Sequence, residues 1–384
     1  MIGSNRVADK SDLPAVLLCT PAIGLPEHVL SQADTLDLAA RLHAGHPELR
    51  LALRLIENTG VRKRHLVRPL DETLRDTGFT ERNRVFEAEA KKRVPPVVAE
   101  ALTNAGLSAQ DIDAIVLVSC TGFMMPSLTA WMINELGFRH DAVQLPIAQL
   151  GCAAGAAAIN RAADHCRAHT GANALVVACE FCSLCYQPGD HDVSSLLSNG
   201  LFGDAVAAAV VRGDGRGTGV RLGPQASHVI PGTSDWISYD VKDTGFHFRL
   251  NKGVPGTMRL AMPHISSFTE RNGHSLPSLD FHVTHTGGPR VLDALRTDGG
   301  VPEEKLWASR RTLTEHGNIA SAAVFDVLRR LSDEKPADGA RGLIAGFGPG
   351  ITVELTLGTW QNDDPHTLTP ITRTTAATAA GDTR

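Results

Sequence analysis

Short apolar runs of strand length recur along this chain with helical patterns between them, and that alternation argues for an α/β architecture. The clearest runs are Ala114–Ser119, Leu175–Ala178, Ala205–Val211, Phe281–Thr284 and Gly342–Gly346. Glu81–Ala105 carries helical periodicity, and Pro95-Pro96 inside it predicts a kink or a division. A helix of small residues is expected from Cys152 through Ala163. Val118-Ser119-Cys120-Thr121-Gly122 and Val283-Thr284-His285-Thr286-Gly287 echo one another, each a strand end running into a small polar turn. With the turn-rich break Arg212–Gly217, the echo hints at two related halves meeting near residue 215. Residues 1–13 and 362–384 are polar and are expected to be disordered.

A chain of 384 residues can bury a large core. Its net charge of −5 gives no basic excess, so neither nucleic acid nor an anionic membrane is an expected partner. No apolar run approaches the roughly 20 residues needed to cross a bilayer, and the first ten residues lack the apolar core of a signal peptide. A cytoplasmic location is expected, where the seven cysteines would stay reduced. Cys179, Cys182 and Cys185 have C-x-x-C-x-x-C spacing, which raises a metal or iron–sulfur site. Against it, Ala174–Ala178 reads as a buried strand, alternation would split Cys179 and Cys182 between its faces, and no fourth ligand stands at a motif spacing. Buried or pocket-lining thiols, and no metal, are the expectation.

Cys152 stands at the start of the small-residue helix, in Gly151-Cys152-Ala153-Ala154-Gly155. The two glycines let other backbone approach, and a helix N-terminus favours an anion, so the thiol pKa is expected to fall toward neutrality. The alternative is a buried small residue on an Ala-rich helix. His285 ends a strand and precedes Gly287-Gly288-Pro289, a position suited to facing a cleft. Sixteen histidines make any one of them ordinary. As a partner for Cys152, His285 would hold a thiolate–imidazolium pair or donate to an oxyanion. Asn318 follows Gly317 and opens a helix over Ile319–Leu328; local pattern favours an N-cap, the alternative being an amide donor to an enolate or thioester oxygen. Gly346-Phe347-Gly348-Pro349-Gly350 lacks the lysine of a phosphate loop and reads as backbone packed beside the site. Arg62-Lys63-Arg64 reads as a solvated face, with contact to a nucleotide's phosphates as the alternative. Cys, His and Asn on separate glycine-framed turns are the parts of a nucleophilic acyl-transfer site.

Taken together, Gly151-Cys152-Ala153-Ala154-Gly155, Leu201-Phe202-Gly203-Asp204, His285-Thr286-Gly287-Gly288-Pro289, Gly317-Asn318 and Gly346–Gly350 resemble the type III polyketide synthases, the chalcone synthase-like branch of the thiolase superfamily. Cys120–Ser127, Cys182–Tyr186 and Tyr239–Phe248 are most similar to the bacterial members that form tetrahydroxynaphthalene. The resemblance implies a thiolase-like fold, an αβαβα pair of related halves over residues 14–215 and 216–361, in a homodimer. It implies that Cys152 carries the growing chain as a thioester while His285 and Asn318 stabilise the enolate left when malonyl-CoA loses carbon dioxide. Phe202 and Phe248 match gatekeeping phenylalanines, and Met125 matches a residue reaching into the partner's cavity; on residue type alone all three read as ordinary core. Cys120, Cys182, Cys185 and Tyr239 fall at cavity positions where plant enzymes typically have threonines and a glycine. A large Tyr239 should shrink the cavity and favour a small polar starter. Arg54 matches a coenzyme A contact, whereas Leu51 and Asn58 replace lysines of the plant enzymes.

The implied reaction is iterative decarboxylative Claisen condensation of malonyl-CoA, five units giving tetrahydroxynaphthalene. Neither metal nor redox cofactor is expected, because decarboxylation supplies the carbanion. Rival readings are a type III synthase making a pyrone or resorcinol, a ketoacyl synthase III-like enzyme fed by a carrier protein, and a non-catalytic acyl-CoA-binding protein.

Overall fold

The computed structural model describes residues 14–362. The tails expected to be disordered lie outside the described residues, except Asn362. That residue belongs to the folded body: its N–H donates to Asp338 Oδ1 at 2.9 Å and its Nδ2 to the Pro336 carbonyl at 3.1 Å.

The strands, in chain order, are β1 (Val16–Cys19), β2 (Ala22–Gly24), β3 (His28–Ser31), β4 (Lys63–Leu66), β5 (Ala114–Val118), β6 (Val143–Ile147), β7 (Asn173–Phe181) and β8 (Asp204–Arg212). They continue with β9 (Gly219–Val229), β10 (Ile237–Lys242), β11 (Gly245–Leu250), β12 (Phe281–Thr284), β13 (Arg341–Gly348) and β14 (Thr352–Gln361). Ten form one mixed sheet in the order β12-β13-β14-β9-β1-β8-β7-β5-β6, with β2 on β8. β3 and β4 pair separately, as do β10 and β11.

Alternation along the strands divides the core. Val116, Val176 and Ala207 face the helices Ala154–Ala168 and Ala323–Asp333, while Ile115, Leu175 and Val206 face the long helix Phe79–Ala105. In the second half Ile344 joins the inner core, and Leu343, Ala345 and Leu355 pack with residues of the helices Thr257–Arg271, Pro289–Thr297 and Trp307–His316. The result is the expected αβαβα layering. The internal echo is structural too. β5 runs parallel to β7, which turns back antiparallel into β8; β12 runs parallel to β13, which turns back into β14. In each half a short 3₁₀ turn, Gly151–Ala153 or Ala320–Ala322, leads into the buried central helix.

Two local expectations change. Phe79–Ala105 is one 27-residue helix and Pro95-Pro96 does not divide it. Pro96 faces solvent and Pro95 is half-buried, so the carbonyls of Lys91 and Lys92 that lose their partners lie toward water, while Val94, Val97 and Val98 hold the inner face. The helix expected from Ile319 starts at Ala323, because Ala320 takes a φ of +48° and a 3₁₀ turn precedes it.

Candidate active site

Cys152 occupies the 3₁₀ turn at the N-terminal end of the helix Ala154–Ala168, as its small neighbours suggested. That helix is buried on nearly all sides, and its glycines are required. A Cβ on Gly155 would stand 2.1 Å from the Ser321 carbonyl oxygen; on Gly151, with φ +49°, it would meet Pro349 Cδ at 2.6 Å. The glycine-rich loop after β13 packs directly here: a Cβ on Gly348 would lie 2.6 Å from both Ala153 N and the Leu150 carbonyl.

Asn318 is held from both sides. Its N–H donates to the Leu201 carbonyl at 2.9 Å, its carbonyl accepts from Gly203 N–H at 3.1 Å, and Phe202 lies between as its bridge partner. Its Oδ1 accepts from Ala320 N–H at 3.0 Å and stands 3.9 Å from Cys152 Sγ. Asn318 therefore caps the turn, and the same Oδ1 faces the Cys152 thiol. His285, 2% exposed, donates its N–H to the Ala345 carbonyl at 2.9 Å, and its ring bonds the backbone of Ala320. Its Nδ1 has no partner among the described residues. The thiol and the imidazole thus meet the same short segment, Asn318–Ala320.

The expected lowering of the thiol pKa does not occur. Burial, reinforced by the nearby Glu180 carboxylate, pushes Cys152 up to about 12 against the opposing bond to Asn318. Burial draws His285 down to about 4, with the Ala320 backbone opposing. Desolvation thus favours a neutral thiol and a neutral imidazole over a thiolate–imidazolium pair. A helix N-terminus contributes a partial charge, too little to offset complete desolvation.

Glu180 escaped the sequence reading, although a carboxylate inside the apolar run Val176–Phe181 was a signal. It is fully buried, accepting from Ser321 Oγ at 2.5 Å, Thr121 Oγ1 at 3.0 Å and Cys120 N–H at 3.1 Å. Desolvation raises its pKa. Arg64 corrects another expectation. Arg62 and Lys63 are exposed, but Arg64 is buried and donates to the Phe202 carbonyl and to Thr35 Oγ1, both at 2.9 Å. β3 and β4 alternate, and the third residue of the basic run faces inward, close to the buried Asp204 carboxyl.

A cavity is lined by Phe202, Phe248, Cys182, Cys185 and Tyr239, and continues between leucines of the first helices such as Leu38 and Leu70. The Phe202 and Phe248 rings meet edge to face at 5.1 Å, and Tyr239 Oη lies 3.9 Å from Cys185 Sγ. Cys152, His285, Asn318 and Cys120 are outside this lining; Cys120 Sγ contacts Glu180 at 3.5 Å. Cys179 is buried in β7, apart from the cavity wall. Met125 is 83% exposed, which excludes the core role its residue type suggested. Arg54 is exposed on the helix Leu49–Glu57, and Leu51 and Asn58 are exposed beside it. No helix of the described residues is long and apolar enough to cross a membrane.

Comparison with known proteins agrees with this geometry. Residues 3–215 match the N-terminal domain of the chalcone and stilbene synthases, and residues 221–358 match their C-terminal domain. A 1,3,6,8-tetrahydroxynaphthalene synthase of Streptomyces coelicolor is 61% identical over 90% of this chain and 93% of its own. The phloroglucinol synthase of Pseudomonas fluorescens is 45% identical over 89% of this chain and 99% of its own. The crystal structure of the tetrahydroxynaphthalene synthase from Streptomyces coelicolor A3(2) superposes with a TM-score of 0.88, at 61% identity, over 90% of this chain and 99% of that one. Germicidin synthase from the same species, a type III polyketide synthase, gives 0.84 at 28% identity over 90% and 99%. The chain has the thiolase-like fold, belongs to the chalcone and stilbene synthase family, and is a type III polyketide synthase, an acyltransferase.

Proposed function

We propose that the protein condenses five malonyl-CoA units and cyclises the product to 1,3,6,8-tetrahydroxynaphthalene, releasing five carbon dioxide, five coenzyme A and one water. The observation that carries the mechanism is the meeting of Cys152 Sγ and the His285 ring on the Asn318–Ala320 segment. Because both groups rest neutral, His285 takes the thiol proton as sulfur attacks the malonyl thioester, and coenzyme A leaves. When the next malonyl-CoA loses carbon dioxide, the electron pair of the broken C–C bond forms an enolate. The ring N–H of His285 and the amide of Asn318 donate to its oxygen. The enolate carbon attacks the Cys152 thioester, and the sulfur leaves.

Phe202 and Phe248 gate the acyl path; Cys182, Cys185 and Tyr239 shape its wall, with Cys120 behind it on Glu180. Arg54 meets coenzyme A at the surface. No metal or redox cofactor enters any step. The halves 14–215 and 216–361 contribute Cys152 and the His285–Asn318 pair respectively. The working form is a cytoplasmic homodimer. Supporting this are the edge position of β6, with Val143 43% exposed, and the exposure of Phe123 and Met125, which would reach into the partner's cavity.

The test is purified protein with malonyl-CoA as sole substrate, mass analysis of products, and Cys152→Ala as control. A ten-carbon tetrahydroxynaphthalene or its oxidised quinone, absent from the control, is expected. Carbon dioxide release with a pyrone or resorcinol instead would overturn the product while keeping the chemistry.

A further inference from the structure

The ribbon β10–β11 carries two of the cavity's aromatic residues yet pairs with no other strand. Its register sets Tyr239 opposite Phe248, Asp240 opposite His247 and Val241 opposite Phe246. Alternation therefore gives it one aromatic face and one charged face. On the first, the Tyr239 ring lies 5.4 Å from Phe246 and 5.8 Å from Phe248, and Tyr239 and Phe248 line the cavity. On the second stand Asp240, His247 and Arg249.

The charged face is fastened to the chain segment leading into the helix Val193–Leu201. The buried His247 places Nδ1 at 3.0 and 2.9 Å from the two oxygens of Asp190, and Nε2 at 2.6 Å from Thr244 Oγ1. Arg249 reaches Asp190 at 3.6 Å, Asp192 at 3.2 Å and Asp240 at 2.9 Å. Asp192 in turn caps that helix, accepting from Ser195 N–H at 3.0 Å, and the helix ends at Phe202. Gln187 Nε2 adds bonds to the Thr244 and Phe246 carbonyls at 3.3 and 3.1 Å. Both rings of the Phe202–Phe248 contact thus hang from elements joined through Asp190 and Asp192. Apolar packing would hold a ribbon as firmly. A partly buried ion pair costs desolvation and fixes one geometry in return.

We propose that Asp190 is a positioning residue for the gate: through His247 and Arg249 it sets the spacing of Phe248 and Tyr239 against Phe202, and so which acyl-CoA thioesters pass. This rests on the reading of the cavity as the acyl path. Asp190 touches no reacting atom, so its effect falls on substrate selection more than on chemistry.

The experiment compares wild type, Asp190→Asn and Asp190→Glu, full-length, with malonyl-CoA alone and in competition with hexanoyl-CoA and benzoyl-CoA, by product mass analysis. Asp190→Asn should raise KM for malonyl-CoA about tenfold with a smaller loss of kcat, and shift products toward the larger starters. Asp190→Glu should partly restore both. Arg249→Gln, at a more exposed position, should shift selection the same way and serves if Asp190→Asn does not fold. Unchanged KM and starter ratio in a folded variant would overturn the proposal, as would equal losses of kcat across all starters. Wild type that turns over none of these thioesters would sink the functional reading instead. Hexanoyl-CoA and malonyl-CoA affinities by calorimetry then decide the positioning role, expected to change their ratio in Asp190→Asn and refuting it if they do not.

Discussion

Replacing Gly155 by alanine should separate the two halves of the active site. The new Cβ would lie 2.1 Å from the Ser321 carbonyl oxygen and 2.9 Å from Val324 Cγ2. An ordinary C···O contact is about 3.3 Å, so the two backbones must part by about 1.2 Å. Neither side has slack: Gly155 and its helix neighbours are buried, and Ser321 is fully buried with its hydroxyl on Glu180. Overpacking of this kind costs about 1–3 kcal/mol of stability. The larger effect should be on turnover, because Asn318 is three residues before Ser321 and a displacement of about 1 Å is worth about 100-fold in rate. Urea unfolding and malonyl-CoA consumption measure the two quantities. Gly256→Ala is the control: no atom stands within 4 Å of that Cβ, and the change should stay within about 0.5 kcal/mol. A Gly155→Ala protein that loses stability but keeps its turnover would refute the link from this helix to Asn318.

Other perturbations follow from the same contacts. Arg64→Met leaves the Phe202 carbonyl and the buried Thr35 hydroxyl without their donor and should cost roughly 1–3 kcal/mol in urea unfolding; a loss under about 0.5 kcal/mol would contradict it. His285 stays neutral down to about pH 4, so the acid limb of kcat for malonyl-CoA should lie near 4, and a limb near 6.5 would show a more solvated ring. His285 and His282 both fold neutral with pKa values drawn down to about 4, so the stability each permits is full above 6.5 and lost as pH falls to 4. The raised carboxyls of Asp204 and Glu180 act in the opposite sense, gaining protons in the folded state as pH falls; unfolding free energies of wild type and His282→Phe at pH 7 and pH 4.5 isolate the histidine contribution, which should make the wild type lose more. Tyr239→Gly should admit larger starters by removing the ring packed on Phe246 and Phe248, and unchanged starter preference would count against it.

What the sequence made legible was whatever depends on neighbours along the chain. Strand runs, the small-residue helix and the glycines beside Cys152 are local patterns, and Gly155 does sit where other backbone comes within 3 Å of an added Cβ, whereas Gly151 meets the Pro349 ring. The echo between residues 118–122 and 283–287 was also local, and it marks corresponding strands of the two halves. What stayed hidden depends on burial, which no short window reports. The thiol at a helix start was expected to ionise; the buried Glu180 and the dry surroundings reverse that, and they come from a different strand. Arg64 was expected in water because its neighbours are charged, yet strand alternation turns it inward onto Phe202. Asn318 shows the two kinds of information combined. Its capping role follows from position, but its contact with Cys152 exists only because Gly203 and Leu201 clamp its backbone to the segment carrying Phe202. Phe202 and Asn318 therefore share one short ladder. A shift in either is transmitted to the other through two backbone hydrogen bonds, so the thiol-facing side chain and the cavity wall are mechanically joined in this fold.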